Sequence, residues 1–195
     1  LPEKNYIDFL IIYCKQWLNK GYKNDHRPKI LLMEALERAV YCKDTKKIIV
    51  CWDIISKYYP QKKTRAVNYI LDMDNIPEDI AVLIRGHVFQ IFRQYFENVQ
   101  GDFSNYKEIV RFIFSDKYLS QRAEKFIKNN CSNRYICSKT VDMCAALGID
   151  IPQKDLLRQT AGSPFTILKS GHSKKYIDFL IKNSMIDKAY EFERM

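Results

Sequence analysis

Apolar side chains recur every three or four residues along most of the chain, which is the spacing of an amphipathic α-helix. The pattern is clear over residues 4–19, where it is carried by Tyr6, Phe9, Leu10, Tyr13 and Trp17. Gly21 follows at the place where a glycine commonly ends a helix. The start of the chain is therefore predicted to form one helix of about four turns.

Proline, aspartate, serine and glycine mark the ends of further predicted helices, because they favour caps and first turns. Pro28 is expected to begin the second helix, and Asp44 or Thr45 to cap a third that stops before Pro60. A fourth covers about 63–72. Later starts are predicted at Ser104, Asp116, residue 133, Pro152, Pro164, Ser173 and Ser184. The two that begin at Ser104 and Asp116 are expected to end near Ser115 and Asn130.

A long helix is predicted from Pro77 to Gly101, and its apolar residues nearly encircle the helix axis. Such a pattern is typical of a helix buried on several sides, so we expect it to be central. Arg85, Gly86 and His87 lie inside this segment, and Gly86 is expected to permit close packing of a neighbouring helix.

Helix pairs joined by short loops pack as antiparallel hairpins, and stacked hairpins form solenoids. The sequence therefore predicts an all-α fold, an irregular, α-solenoid-like stack of about a dozen helices. We expect residues 1–195 to form a single domain with a sub-boundary near 101–104. Because the chain starts at Leu1 rather than Met, it is expected to be a fragment of a longer protein.

The pentapeptide Tyr-Ile-Asp-Phe-Leu occurs at residues 6–10 and again at 176–180. A strict 34-residue array would need helix starts near 40 and 108, which fall inside predicted helices, so a regular period fails. Residues 174–195 nevertheless resemble a tetratricopeptide or pentatricopeptide hairpin, and residues 143–152 resemble the junction that closes a pentatricopeptide unit. This partial resemblance implies helical-hairpin architecture; repeats of these families bind RNA or protein segments.

The net charge of +9 favours acidic partners such as nucleic acid, acidic protein surfaces or anionic lipid. Residues 104–140 contain eight basic and three acidic residues. Helical spacing places several of these cations on one stripe that could follow a phosphate backbone. An outward-facing helix with long solvated cations is the alternative. The candidate binding residues are Lys117, Arg122, Lys125, Lys128, Arg134 and Lys139, together with a second cluster at Lys62, Lys63 and Arg65.

The six cysteines form no Cys-x-x-Cys pair, and most lie within apolar helical segments, as free thiols do in reduced proteins. We therefore expect an intracellular protein of the nucleus or cytoplasm. The three histidines show no metal-ligand spacing, and no phosphate loop or nucleophile motif occurs. No apolar run is long enough to span a bilayer. We expect no metal, no cofactor, no membrane insertion and no enzymatic activity.

Three functions follow from these observations. The first is a non-enzymatic scaffold, a protein-protein interaction module that binds a partner protein in a groove between helices. The second is a basic helical module that binds RNA or DNA. The third is an enzyme with an unrecognised cysteine site. The sequence leaves the partner and the oligomeric state open.

Overall fold

The computed structural model describes residues 3–97, 106–130, 139–140, 143–144, 147, 177–178, 181–182 and 186–194. Regular structure in these residues is helical throughout, which confirms the predicted all-α class. The helices are α1 (Glu3–Asn19), α2 (His26–Tyr41), α3 (Thr45–Tyr58), a 3-10 turn (Pro60–Lys62), α4 (Lys63–Leu71), α5 (Glu78–Glu97), α6 (Lys107–Ser115), α7 (Lys117–Asn130) and α8 (Ile186–Glu193). The chain divides into two compact units, Leu1–Ile91 and Phe92–Met195, so the division falls within α5.

Side-chain caps determine where the first helices begin. Gly21 follows α1 with a φ of +86°, a left-handed conformation that glycine adopts without a steric penalty. Asp25 caps α2 by accepting a hydrogen bond from the backbone N–H of Arg27 at 2.9 Å. The helix thus starts two residues before Pro28, the predicted start. Asp44 caps α3 as predicted, accepting from the N–H of Lys47 at 3.2 Å.

The helices of the first unit run alternately in opposite directions. Arg38, near the end of α2, contacts Glu3 at the start of α1 at 2.7 Å. Lys29, near the start of α2, lies 5.8 Å from the centre of the Tyr59 ring, which follows α3. Short connections between these helices leave room only for such antiparallel neighbours. One end of the unit therefore collects the α1–α2 turn and the α3–α4 turn.

The core of the first unit uses a different face of α1 from the one that the aromatic residues suggest. Its buried residues are Ile7, Leu10, Ile11, Cys14 and Leu18. Phe9, Tyr13 and Trp17 lie on a neighbouring stripe that is half-buried or exposed. The aliphatic residues occupy the core because α2 packs against their side of α1. Helical spacing predicted the helix correctly but not which stripe is buried.

The α5 helix has a buried side and an exposed side, whereas the sequence predicted burial on several sides. Val82 is 55% exposed and Leu83 is 37% exposed, whereas Ile84 and Val88 are fully buried. The expectation for Gly86 is wrong, because Gly86 is exposed and a Cβ atom built there meets no other atom within 4 Å. Among the described residues, no neighbouring helix approaches α5 at this glycine.

The second unit begins with an aromatic cluster at the end of α5. The Phe92 and Phe96 rings are 5.0 Å apart, and both contact Phe126 of α7, with centroid distances of 6.1 and 5.7 Å. Asp116 caps α7 as predicted, accepting hydrogen bonds from the N–H groups of Tyr118 and Leu119 at 3.0 and 2.9 Å. The cap orients α7 so that its apolar side meets this cluster.

Several predictions fall on residues outside the described part of the chain. They include the starts at Ser104, Pro152 and Pro164, the sub-boundary near 101–104, and most of the two segments that resemble tetratricopeptide or pentatricopeptide units. Ile186–Glu193 is helical, in agreement with the helix predicted for that region. No helix within the described residues has both the length and the apolar composition needed to cross a membrane.

Candidate nucleic-acid interface

Two segments that are far apart in sequence meet at one end of the first unit. Residues 17–29 cover the α1–α2 turn, and residues 57–65 cover the end of α3 and the start of α4. Together they contain a single acidic residue, Asp25, whose carboxylate caps α2. We call their eight Lys and Arg residues the basic end; they are Lys20, Lys23, Arg27, Lys29, Lys57, Lys62, Lys63 and Arg65.

Aromatic rings lie between the cations of the basic end. Lys23 and Lys57 approach the Tyr58 ring at 5.6 and 5.2 Å from its centre. Four other cations each lie over a ring of their own, at distances that favour cation–π attraction. These pairs are Arg27–Trp17, Lys29–Tyr59, Lys63–Trp52 and Arg65–Tyr69, at 5.4, 5.8, 5.8 and 5.5 Å.

The ion pairs of the first unit lie away from the basic end. Within the described residues, none of the eight cations has a carboxylate oxygen within 4.0 Å of its charged nitrogens. Acidic residues instead lie toward the opposite end, in residues 3–8 and 71–79 and at Asp44. The pairs there are Arg38–Glu3, Lys47–Asp8, Lys43–Asp74 and Arg85–Glu78, at 2.7, 2.8, 3.6 and 2.8 Å. The unit is therefore strongly polarised.

A groove between α2 and α4 opens at the basic end. Its first section has a volume of about 290 Å³, and Lys29, Lys62 and Arg65 contribute to its lining. A second section of about 400 Å³ continues toward the acidic end, and Glu37 and Tyr69 line both sections. The guanidinium of Arg65 donates to the Tyr69 hydroxyl at 2.8 Å, which holds the cation over the groove wall. The groove thus passes from basic to acidic along its length.

His87 of α5 lies beside the basic end. Its Nε2 is 3.3 Å from the Thr64 hydroxyl, and its ring centre is 6.4 Å from that of Trp52. Burial lowers the pKa of His87 from its usual 6.5, and the positive charge of Lys63 lowers it further. Both causes favour neutral imidazole at this position.

The basic residues predicted to form a stripe are exposed on α7, but Lys139, which follows α7 in the chain, is an exception. Lys117, Arg122, Lys125 and Lys128 lie on the solvent side of α7, opposite buried Leu119, Ala123 and Ile127. We call these four cations the α7 stripe. Lys139 is the exception, because it is 5% exposed, its ammonium group donates to the backbone carbonyl of Tyr95, and it lies 4.5 Å from the Tyr95 ring centre. Buried in these contacts, Lys139 does not belong to the exposed stripe. Arg134 lies outside the described residues.

A line of aromatic rings along α1 was not recognised as a surface feature in the sequence. Successive ring centres of Phe9, Tyr13, Trp17 and Tyr22 are 6.0, 5.7 and 5.3 Å apart. We call these four residues the aromatic ladder. The first three are spaced four residues apart, which places them on one helical stripe. That spacing is visible in the sequence, where it predicts the helix but not which of its stripes is exposed.

Within the described residues, no three His, Cys, Asp or Glu side chains are arranged so that they would hold a metal ion. The basic end favours binding of an extended anion, because cations and ring faces alternate over its surface.

Comparison of the chain with known protein families, curated proteins and solved structures finds no match.

Proposed function

We propose that this protein is a non-enzymatic helical module that binds nucleic acid through the basic end of its first unit. The observation that carries the proposal is the concentration of eight cations, none with a carboxylate partner among the described residues, on a surface interleaved with aromatic rings. Proteins that follow a phosphate backbone use this combination of charge and stacking surface. An RNA or DNA partner would place the function in the nucleus or cytoplasm.

Several features support a functional rather than a merely solubilising role for these charges. Like charges held close together repel, so a concentration of cations that form no ion pair within the described residues costs stability unless an anion is bound. The N-termini of α2 and α4 lie at this end, and helix N-termini favour anions. Solvated lysines that serve only solubility need no such segregation, since interspersed charges of both signs serve that purpose equally well.

In this proposal the antiparallel hairpins belong to an irregular, solenoid-like stack, whose surface offers long contacts to an extended partner. The α7 stripe, which belongs to the second unit, is a separate candidate surface for phosphate contacts. Its lysines Lys117, Lys125 and Lys128 are exposed and, within the described residues, lie in no ion pair.

The groove between α2 and α4 favours a second function, binding of a protein segment. Ile30 and Met33 line its basic section, while Val40, Tyr41 and Met73 line its acidic section. Ile30 and Tyr41 are exposed by 62% and 84%. An amphipathic helix of a partner protein could lay its apolar face along such a groove. This is the scaffold function, and its affinity would depend weakly on salt.

Salt dependence separates the two functions. Binding of a fluorescent oligonucleotide is measured by anisotropy between about 50 and 200 mM salt, where phosphate-driven affinity falls steeply. The variant Lys62→Glu with Arg65→Glu alters the basic end. It should weaken binding about tenfold and lower the slope of log K against log salt by about 1.4, because two single-strand phosphate contacts are lost.

The matched control is Lys4→Glu with Lys46→Glu, which makes the same change in net charge at the opposite end of the unit. Both lysines are exposed, and neither lies in a salt bridge within the described residues. This variant should keep its affinity within about twofold, because salt screening weakens the effect of charges at the end of the unit opposite the basic end. Equal effects of the two variants would contradict a localised interface. Absence of salt-dependent binding would reject the nucleic-acid function.

A further inference from the structure

We propose that the aromatic ladder is a stacking platform for unpaired bases, so that the protein selects single-stranded over double-stranded nucleic acid. This inference rests on the proposed function and specifies its ligand.

The two ends of the aromatic ladder are exposed to solvent, where a ligand can reach them. Phe9 and Tyr22, at its two ends, are 56% and 54% exposed, and Tyr13 and Trp17 between them are half-buried. The buried residues of α1 point to the core on another side of the helix. The Phe9 and Tyr13 rings are stacked at an interplanar angle of 28°, whereas the Tyr13–Trp17 and Trp17–Tyr22 pairs are tilted by 39° and 51°.

The ladder leads directly into the basic end. The Arg27 guanidinium lies 5.4 Å from the Trp17 ring centre, and Tyr22 precedes Lys23 in the turn after α1. A strand whose phosphates contact these cations would therefore have its bases beside the rings. The charge of this surface identifies the occupant, because an aromatic stripe that ends among cations without carboxylate partners in the described residues suits a polyanion with aromatic groups.

Single-stranded nucleic acid has this chemistry, and duplex nucleic acid does not. Bases of a single strand expose their faces, and each base–aromatic stack contributes about 1–3 kcal/mol to affinity, which is about five- to 150-fold. Bases within a duplex are stacked on each other, so a duplex would offer only its phosphates to the basic end. The rings of the aromatic ladder would then make no stacking contacts with the bases of the duplex.

The test compares three probes on the 195-residue chain: a short oligothymidylate, an abasic deoxyribose-phosphate chain of equal length, and a duplex of equal length. The oligothymidylate should bind at least about fivefold more tightly than the abasic chain at the same salt concentration. It should also quench the fluorescence of Trp17. Trp52 is 5% exposed, so its fluorescence should change little and provides a reference signal within the same protein.

The variant Phe9→Leu with Tyr13→Leu keeps apolar, helix-favouring residues and removes two rings. It should reduce the preference for oligothymidylate over the abasic chain without abolishing it, because Trp17 and Tyr22 remain, and it should leave binding of the abasic chain unchanged. Ile12→Ala is the matched control, because Ile12 is an apolar residue of α1 that is 55% exposed and lies outside the ladder. The control should preserve the preference for bases. Circular dichroism checks that all variants remain helical.

Equal affinities for the oligothymidylate and the abasic chain would overturn the inference while leaving the proposed function intact. Duplex binding as tight as single-strand binding would do the same. A dimer that Phe9→Leu dissociates in sedimentation experiments would show that a second copy covers the ladder, and would also overturn it. Absence of salt-dependent binding to any probe would overturn the proposed function and this inference together.

Discussion

The ammonium group of Lys23 lies 5.6 Å from the centre of the Tyr58 ring, so the turn after α1 contacts the last residue of α3. Lys57 approaches the same ring at 5.2 Å. Two cations from separate segments therefore share one aromatic ring, with no carboxylate between them in the described residues. This contact joins residues 17–29 to residues 57–65 and creates the basic end as a single surface.

The α7 stripe is expected to contribute to binding without contributing to folding. Lys125→Glu with Lys128→Glu should change the free energy of unfolding by less than about 0.5 kcal/mol, because both side chains are exposed. Oligonucleotide affinity should fall, and the salt slope should fall by about 1.4. Anisotropy titrations at several salt concentrations and urea unfolding measure these two effects.

The control for the α7 variant is again Lys4→Glu with Lys46→Glu, which carries the same change in net charge. Unchanged affinity and unchanged folding in the Lys125 and Lys128 variant would reject the stripe as a binding surface. A large loss of stability would instead assign the two lysines a structural role, against their exposure.

The pKa of His87 is expected to rise when Lys63 is replaced by methionine. The Lys63 charge opposes protonation of His87, so its removal should move the pKa upward, while burial keeps it below 6.5. Titration of the imidazole Cε1 proton by NMR measures the change directly. An unchanged pKa would mean that burial alone lowers it.

The lowered pKa of His87 also predicts how stability depends on pH. Because the unfolded chain binds this proton more readily, the contribution of neutral His87 is full above pH 6.5. It should be lost as the pH falls from 6.5 through the folded-state pKa. Urea unfolding at a series of pH values checks the sign, and replacement of His87 by glutamine should remove this part of the dependence.

Gly86→Ala is expected to stabilise the protein. Gly86 is an exposed residue of α5, and a Cβ atom there meets nothing within 4 Å. Alanine is better than glycine in a helix interior by about 1 kcal/mol, so the midpoint of urea unfolding should increase. A decrease would show that α5 needs the flexibility or close approach of glycine at this position.

The thiols of Cys14 and Cys51 are expected to resist alkylation in the folded protein. Burial raises the pKa of each to about 12, so few molecules carry the reactive thiolate near neutral pH. Cys42 is half-buried and should react first. Peptide mapping after treatment with iodoacetamide measures the order, and urea should make all three reactive. Rapid labelling of Cys14 or Cys51 without denaturant would contradict their burial.

The sequence by itself determined the positions of the helices that the structure describes. Asp44 and Asp116 cap α3 and α7 as predicted, and Gly21 follows α1 with positive φ. Caps and helical periodicity depend on residues within one or two turns of each other, so the local sequence is enough to predict them. The exposed lysines of α7 were predictable for the same reason, because the apolar side of one amphipathic helix indicates its solvent side.

Only the tertiary structure decided which surfaces the helices present. Lys62 and Arg65 were predicted from the sequence as a basic cluster, but their position in one groove with Lys29 depends on the packing of α2 against α4. Lys139 is buried against Tyr95, 44 residues away, where its ammonium group donates to a backbone carbonyl. Such contacts are made by residues remote in sequence, and local propensity carries no information about them. For the same reason, the periodicity of α1 predicted a helix, while packing against α2 decided that its aliphatic residues form the core and its aromatic ladder faces outward.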